Sequence, residues 1–262
     1  MPASSIELFE KVIEFLKLGK PIALCTIVDK IGSGPRGVGS KIVVTSDGEV
    51  IGSIGGGGFE RILIDKAIES IREGKCRLIT FSLGSGRGVE TGLICGGSLT
   101  VFIDVIKPKP RLIIFGSGSI AKPLAEIAHR VGFEILIADD HEDTATRERF
   151  PMASEIIIEK PLSKVLGKLE IEASDFIAIV HGEVESEFLI LKEVLKKRPR
   201  YVGLLGSKRK VSVLKKRLLE SGFTVKDLDI LHAPIGLDIG AETPSEIAVS
   251  IVAELIKVLR GK

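Results

Sequence analysis

A glycine-rich turn at Gly116-Ser117-Gly118 constrains the fold of this 262-residue chain more than any other feature. An apolar strand candidate at 111–115 precedes the turn, and a helical pattern over 120–131 follows it. A second strand candidate, 134–138, leads to Asp139, which lies 23 residues after Gly116. Glycines at such a turn let the backbone approach a phosphate at a helix N-terminus, where free N–H groups and the helix dipole favour an anion. This order predicts a dinucleotide-binding type of βαβ unit that begins almost halfway along the chain.

The segment around this turn alternates strand and helix patterns. Apolar runs at 112–115, 135–138, 176–180 and 201–205 alternate with helical patterns at 120–131, 184–197 and 208–221. Such an order predicts a parallel sheet with right-handed crossovers, that is, a Rossmann-like domain. Ligands bind this kind of sheet outside the carboxyl ends of its strands. The polar residues directly after the strands are therefore site candidates: Gly116, Gly118, Asp139, His181, Ser207 and Lys208.

His181 directly follows the strand candidate 176–180. It is either a loop histidine that caps the next helix, or a group that contacts a phosphate or donates a proton near neutral pH. Lys208 to Lys210 open a helix directly after Gly206-Ser207, where cationic side chains can meet an anion. His129, on a helix, and His141, in the acidic turn 139–143, are weaker candidates.

The first 106 residues predict an α+β domain rich in glycine loops. Its elements are an amphipathic N-terminal helix, strands at 21–28, 76–82 and 98–106, a hairpin of 41–45 with 49–54, and a helix at 60–73. Glycine loops at 32–39, 55–58 and 84–97 either serve tight turns or surround a ligand with anionic groups. The second interpretation is favoured because one loop leads directly into a helix. Residues 107–110 include two prolines and predict the linker to a second domain at 111–262.

Composition excludes several classes of function. A net charge of +2, 5% aromatic residues and no Trp argue against a nucleic-acid-binding protein. No apolar run approaches the ~18 residues of a membrane span, and the N-terminal helix pattern differs from a signal peptide, so we expect a cytoplasmic protein. Cys25, Cys76 and Cys95 form no CxxC motif, which argues against a disulfide framework or a cysteine zinc site. The absence of Asn and Gln beside 27% charged residues is typical of a hyperthermophile.

The stretch from His232 to Ala248 contains a helix start and glycines that this helix does not require. Thr243 is a good N-cap, Pro244 suits the first helical position and Glu246 completes a capping box. This stretch resembles the C-terminal signature of the XdhC/CoxI family, accessory proteins for molybdenum hydroxylases such as xanthine dehydrogenase and carbon monoxide dehydrogenase. Six segments follow the family pattern in order: 33–41, 52–60, 95–97, 116–121, 201–209 and 232–246.

The resemblance implies a homodimeric chaperone more than a stand-alone enzyme. Such a protein binds the molybdenum cofactor, a pterin dithiolene in its molybdopterin or dinucleotide form. It protects this cofactor, permits its sulfuration by a cysteine desulfurase and passes it to an apo molybdenum hydroxylase. The implied cofactor-binding residues are Pro35, Arg36, Gly55, Gly56, Gly57, Gly96, Gly97, Gly116, Gly118, Asp139, His181, Ser207, Lys208, His232 and Gly236.

Cys95 is the candidate functional thiol. Small neighbours leave its sulfur accessible, so it could ligate molybdenum or carry sulfur as a persulfide. Many family members have a second cysteine after the glycines of the 55–58 loop, where this chain has Gly58, so Cys95 would act alone. Cys25, inside an apolar strand, and Cys76 are interpreted as structural.

Two other functions are open. An NAD(P)-dependent oxidoreductase would use Asp139 to hold the ribose hydroxyls. Against it, the chain has no Tyr-x-x-x-Lys pair, and its one tyrosine, Tyr201, lies in a strand. A non-catalytic nucleotide-sensing regulator would use the same loop. Nucleotide binding alone does not separate these two functions from the chaperone.

Overall fold

A computed structural model of the protein describes residues 5–83, 89–90 and 96–261. By its internal contacts the chain divides into two compact units, Met1–Lys109 and Pro110–Lys262. Within the described ranges, no helix is both long enough and apolar enough to cross a bilayer.

The first unit is a six-stranded sheet with a helix on each face. Its strand order is β3-β2-β1-β6-β4-β5, antiparallel except for the β4–β5 pair. The elements are α1 (Ser5–Lys17), β1 (Ile22–Ile31), β2 (Lys41–Thr45), β3 (Val50–Gly52), α2 (Gly57–Glu73), β4 (Arg77–Ser82), β5 (Val89–Glu90) and β6 (Ser98–Ile106).

Alternation along β1 explains the two helical layers. Cys25 and its same-face neighbours are buried with Phe59 and Leu63 of α2, whereas Ile22 is buried with Leu8 and Phe15 of α1. Successive side chains of a strand point to opposite faces, so this apolar strand can support a helix on both sides. The predicted hairpin of 41–45 with 49–54 is present as β2 and β3, although its second strand is shorter than predicted.

The second unit is a six-stranded, all-parallel sheet of order β12-β11-β10-β7-β8-β9. This order, with the first strand between the second and the fourth, is that of a doubly wound dinucleotide-binding fold. The elements are β7 (Arg111–Phe115), α3 (Ala121–Arg130), β8 (Glu134–Asp139), β9 (Ala153–Ile158), β10 (Phe176–Ile179), α4 (Val184–Lys197), β11 (Tyr201–Leu204), α5 (Lys208–Glu220), β12 (Leu231–His232) and α6 (Pro244–Arg260).

Helices cover both faces of this parallel sheet. Buried residues of α3 and α6 form one core with the sheet, and those of α4 and α5 form the other, together with the short 3₁₀ helix Leu162–Gly167. Burial on both faces accounts for the continuous apolar runs of the central strands. The predicted fold class, an α+β glycine-loop domain followed by a Rossmann-like domain, is confirmed.

Sequence patterns missed two strands of this sheet. β9 lies at one edge and exposes Ser154 and Glu155, so its apolar run is interrupted. β12 is only two residues long and lies at the other edge. The predicted start of α6 is correct, because Thr243 accepts a hydrogen bond from the Glu246 backbone in a capping box, with Pro244 in the first turn.

Candidate functional site

The carboxyl ends of β7 and β10 lie where the strand order of the second unit reverses. Gly116 directly follows β7 with φ 112°. A Cβ at this position would lie 2.8 Å from the Cα atom and 2.9 Å from the backbone nitrogen of His181. Glycine at 116 therefore lets the turn after β7 touch the loop after β10 through their backbones. Open parallel sheets bind ligands at this kind of edge.

The glycine turn, residues 116–120, leads into a helix that lacks a side-chain cap. No side chain caps the N-terminus of α3, and its first turn has no acidic residue. The space beside Gly118 is open, since no described atom that could obstruct a Cβ there lies within 4 Å. The Arg149 guanidinium donates to the Gly118 carbonyl oxygen over 3.0 Å. A helix start with free N–H groups and a neighbouring cation favours an anionic ligand.

Four titratable side chains meet at the same edge, and we call them the acid–histidine cluster: Asp139, Asp140, His141 and His181. Asp139 ends β8, and the next two residues follow it directly. Asp140 Oδ1 lies 2.9 Å from His141 Nδ1 and 3.0 Å from His181 Nε2. Asp139 Oδ1 lies 3.2 Å from His141 Nδ1 and 3.6 Å from His181 Nε2. The structure therefore joins Asp139 and His181, which sequence analysis selected, with its weaker candidate His141. Asp140 was not a candidate.

Members of the acid–histidine cluster differ in burial. The side chains of Asp139 and His181 are 3% and 6% exposed, whereas that of His141 is 67% exposed. Burial acts to raise the pKa of Asp139, but hydrogen bonds from the Ser117 hydroxyl, the Asp140 N–H and His141, with the charge on His181, hold this pKa below its ordinary value. The hydrogen bond to Asp139 raises the pKa of His141.

A buried carboxylate supports the loop that carries His181. Glu187 of α4 is fully buried and accepts a 2.8 Å hydrogen bond from the Gly182 backbone N–H. Its other oxygen lies 2.5 Å from Lys210 Nζ, which also donates to the Leu205 carbonyl over 3.0 Å. Sequence analysis proposed Lys210 as one of three cations that could meet an anionic ligand. In the structure its ammonium group instead forms an ion pair with Glu187. Neither Glu187 nor its pairing with Lys210 was predicted.

Ser207 and Lys208 lie at the start of α5. The Ser207 hydroxyl accepts a 3.3 Å hydrogen bond from the Lys210 backbone, so it caps this helix. Lys208 lines a shallow cleft between α5 and residues 233–234. Among the described hydrogen bonds and ion pairs, none joins either residue to the acid–histidine cluster. Their role toward a ligand stays a prediction.

His232 and Gly236 belong to a separate polar network. His232 Nδ1 lies 3.1 Å from Glu254 Oε1, and the other carboxylate oxygen accepts from the Tyr201 hydroxyl over 2.5 Å and from the Gly236 N–H over 2.8 Å. Four strand spacings separate β12 from β8, about 19 Å, so the structure does not bring His232 to Asp139. These contacts explain its position through packing and hydrogen bonding, and its role toward a ligand stays a prediction.

Glycine loops of the first unit meet at one end of its sheet. A Cβ at Gly55 would lie 2.8 Å from Pro35 Cγ, and one at Gly97 would overlap the Ser33 carbonyl oxygen. These close approaches join described parts of all three loops. Gly56 precedes α2, and no side chain caps this helix.

Arg36 and Cys95 are two other candidates of the first unit. Arg36 lines a cleft beside α1 together with Lys41 and Ser53. Cys95 lies outside the described residues, so its predicted role is not tested. Cys25 is buried, and burial raises the pKa of its thiol to about 12, in agreement with its structural interpretation.

Comparison with known proteins agrees with this architecture of a glycine-loop unit followed by a Rossmann unit. The family model described as "XdhC Rossmann domain" matches residues 112–255, and the model described as "XdhC and CoxI family" matches residues 15–82. The chain therefore belongs to the XdhC/CoxI family.

Three similar proteins extend this result. The chain is 32% identical over 253 residues to "Uncharacterized protein YqeB" of Escherichia coli K12, with 97% of this chain but only 46% of YqeB covered, about half the length of that relative. It is 23% identical to "Molybdenum cofactor insertion chaperone PaoD" of the same organism, with 94% of this chain and 86% of PaoD covered. A solved structure described as a xanthine dehydrogenase from Bacillus halodurans is 26% identical, with 96% of each chain covered and a TM-score of 0.54.

Proposed function

We propose that this protein is an accessory chaperone for a molybdenum hydroxylase of the xanthine or carbon monoxide dehydrogenase type. It would bind the molybdenum cofactor, protect it and deliver it to the apo-hydroxylase. Membership of the XdhC/CoxI family supports this function, as does the name of the relative PaoD.

One structural observation carries the proposal. In each unit a glycine turn leads into a helix without a side-chain cap, at Gly56 for α2 and at Ile120 for α3. Free backbone N–H groups at a helix start bind phosphate and other anions. The dithiolene and the phosphate-bearing tail of the molybdenum cofactor are anionic groups of the kind that either helix end, taken by itself, can bind.

The residues that would hold the cofactor follow from this placement. N–H groups of the glycine turn, next to Arg149, would bind a tail phosphate, and the open space at Gly118 leaves room for its approach. Within the first unit, the meeting loops at Pro35, Gly55 and Gly97 are a separate candidate site for an anionic group. When bound, the cofactor supplies the molybdenum on which a hydroxylase depends. The chain itself would bind the cofactor, orient it and exclude water from it.

The position of Asp139 disfavours the alternative of an NAD(P)-dependent oxidoreductase. A ribose-binding acid must offer free carboxylate oxygens to two hydroxyls. Asp139 is 2% exposed, and its Oδ1 already accepts a 2.7 Å hydrogen bond from the Asp140 N–H and faces two imidazoles. Its Oδ1 therefore faces a backbone N–H group and two imidazoles instead of an open space for two ribose hydroxyls.

We also retain Cys95 as the thiol that takes part in sulfuration with a cysteine desulfurase. Cys25 is excluded by burial, and Cys76 is exposed, with its Sγ 3.4 Å from Asp104 Oδ1. In this proposal Cys95→Ser keeps the fold but abolishes activation of the partner hydroxylase. Cys76→Ser is the matched control and should activate normally.

Anaerobic purification from a host that makes molybdopterin tests the main proposal. Bound material would be oxidised to a fluorescent pterin and quantified per chain. Gly118→Val should reduce the pterin yield at least tenfold without loss of fold, because the added side chain enters open space in the glycine turn. Gly167→Val, at an equally open glycine of the same unit, should retain it. No pterin on the parent protein, or equal pterin on both variants, would reject the proposal.

A further inference from the structure

We propose that the acid–histidine cluster is a binding site for one divalent first-row transition-metal ion, with zinc as the probe. This site lies beyond the proposed function, since neither the glycine turn nor a pterin is needed to build it. The ion would be held by Asp139, Asp140, His141 and His181, all within the second unit.

The donor set is the first reason. Two imidazole nitrogens and two carboxylate oxygens suit zinc and its first-row neighbours, whereas magnesium and calcium prefer oxygen ligands alone. One ligand atom from each of the four residues can be chosen so that all four lie within 4.8 Å of one another. Among the described residues this is the one such group of three or more histidine, cysteine and acidic side chains.

Geometry is the second reason. The four nitrogen–oxygen separations run from 2.9 to 3.6 Å. Zinc holds nitrogen and oxygen ligands at about 2.0–2.2 Å in a tetrahedron, which places neighbouring ligand atoms about 3.4 Å apart. An ion could therefore enter between these atoms with small side-chain adjustments. His141, being mostly exposed, is free to make the largest one.

Preorganisation is the third reason. Asp139 lies on β8, His181 follows β10, and the backbone contact at Gly116 holds His181 in place. One ligand thus lies on a strand, which positions it rigidly, and the other three lie within two residues of a strand end. His141 closes the site from the solvent side, next to a cleft lined by four acidic side chains and one cation, Lys160: the acids are Asp140, Glu142, Asp143 and Glu159. This acidic opening favours the entry of a cation.

Charge balance distinguishes this site from an ordinary ion-pair cluster. Within the described part of the chain, the nitrogen-bearing side chains that lie within 4 Å of the Asp139 and Asp140 carboxylates are the imidazoles of the two histidines, with no lysine or arginine among them. A bound divalent cation would compensate both carboxylates at once. Buried carboxylates in proteins are usually paired or bound to metals.

Metal titration of tag-free, EDTA-treated protein prepared without the cofactor tests the site. We expect one Co²⁺ per chain, with visible absorption bands of a four- or five-coordinate ion that one equivalent of Zn²⁺ removes. His141→Ala and Asp140→Asn should each weaken Zn²⁺ binding in calorimetry by at least about tenfold. His129→Ala, an exposed histidine of α3 in the same unit, is the matched control and should bind as the parent does.

Several results would overturn the proposal. These are binding of less than one equivalent, equal affinity in His141→Ala and His129→Ala, or a thiolate-to-cobalt charge-transfer band that survives in His141→Ala, since the last would assign the ion to a cysteine. Because His141 is mostly exposed, its alanine variant should fold, and circular dichroism checks this. The test uses cofactor-free protein, so its failure would leave the chaperone function untouched.

Discussion

Two partly buried groups of ionisable side chains lie at opposite edges of the parallel sheet in the second unit, one at the amino ends of its strands and one at the carboxyl ends. At the amino edge, Arg111 of β7 donates to both carboxylate oxygens of Asp175, over 2.9 and 2.6 Å. The same guanidinium donates to the Glu170 carbonyl, and Asp175 also accepts from the Glu172 N–H. At this edge one cation meets one anion, and the carboxylate is fully hydrogen-bonded.

At the carboxyl edge, the acid–histidine cluster is arranged differently. Two carboxylates share two imidazoles, and the buried His181 Nδ1 has no hydrogen-bond partner among the described residues. Buried polar groups are almost always satisfied in native proteins, and exceptions concentrate at functional sites. The comparison separates a saturated ion pair, which stabilises the fold, from a cluster in which one buried ring nitrogen has no partner among the described residues.

Asp175→Ala should have the largest effect on stability. The change would leave the Arg111 guanidinium, only 26% exposed, without its counter-charge, and breaking a buried pair in this way costs about 3–5 kcal/mol. Urea unfolding followed by fluorescence of Tyr201 measures the second unit alone, because this buried tyrosine is the only one and the chain has no Trp.

Glu185→Ala is the matched control for that experiment. Arg217 also binds Glu185 through two hydrogen bonds, of 2.7 and 2.8 Å, but the Glu185 side chain is 70% exposed. Water can replace the lost partner there, so its midpoint should move far less. Equal shifts of the urea midpoint for the two variants would show that the Arg111–Asp175 pair stabilises the fold no more than an exposed ion pair does.

Gly116→Ala should have an intermediate effect. A Cβ at 116 would meet the His181 backbone, and φ is positive, so we expect a loss of roughly 1–3 kcal/mol. Gly118→Ala, two residues further along the same turn, places its methyl group in open space and should unfold at the urea concentration of the parent. If both alanines are neutral, the backbone contact between the glycine turn and the His181 loop is not needed for stability.

Asp140→Asn should have the smallest effect when metal is absent. The amide loses charge-assisted hydrogen bonds to His141 and His181, but it also removes the repulsion between two neighbouring carboxylates. We expect these contributions to offset each other to within about 1 kcal/mol in EDTA. If Asp140→Asn lowers the free energy of unfolding as much as Asp175→Ala does, the cluster stabilises the fold as the ion pair does. The two edges would then not differ in this respect.

The sequence predicted the architecture of the second unit better than its polar contacts. Apolar runs bounded by glycine identified the central strands, because burial on both faces leaves a strong pattern. The edge strands β9 and β12 carry little of this pattern, one being interrupted by Ser154 and Glu155 and the other being two residues long. The apolar pattern that identifies a strand therefore becomes weaker as fewer of its side chains are buried.

For the acid–histidine cluster, topology predicted the edge but not its full membership. Asp139 and His181 were selected because each follows a strand. His141 was interpreted as part of an acidic turn, since the direction of a loop side chain depends on tertiary contacts that a sequence does not display. One signal was available: β8 and β10 flank β7, so polar residues after both strands must meet across it. Glu187 gave no such signal, because an acid near a helix start is usually exposed.

The backbone contact between Gly116 and His181 has a mechanical consequence. A ligand that displaces the glycine turn must also displace His181, because no side chain lies between the two backbones to absorb the motion. A ligand at the start of α3 and an ion in the acid–histidine cluster would therefore both act on the same backbone contact between Gly116 and His181. By thermodynamic linkage, any change that an anion at α3 makes in the affinity of the cluster for an ion is returned by the ion in equal measure.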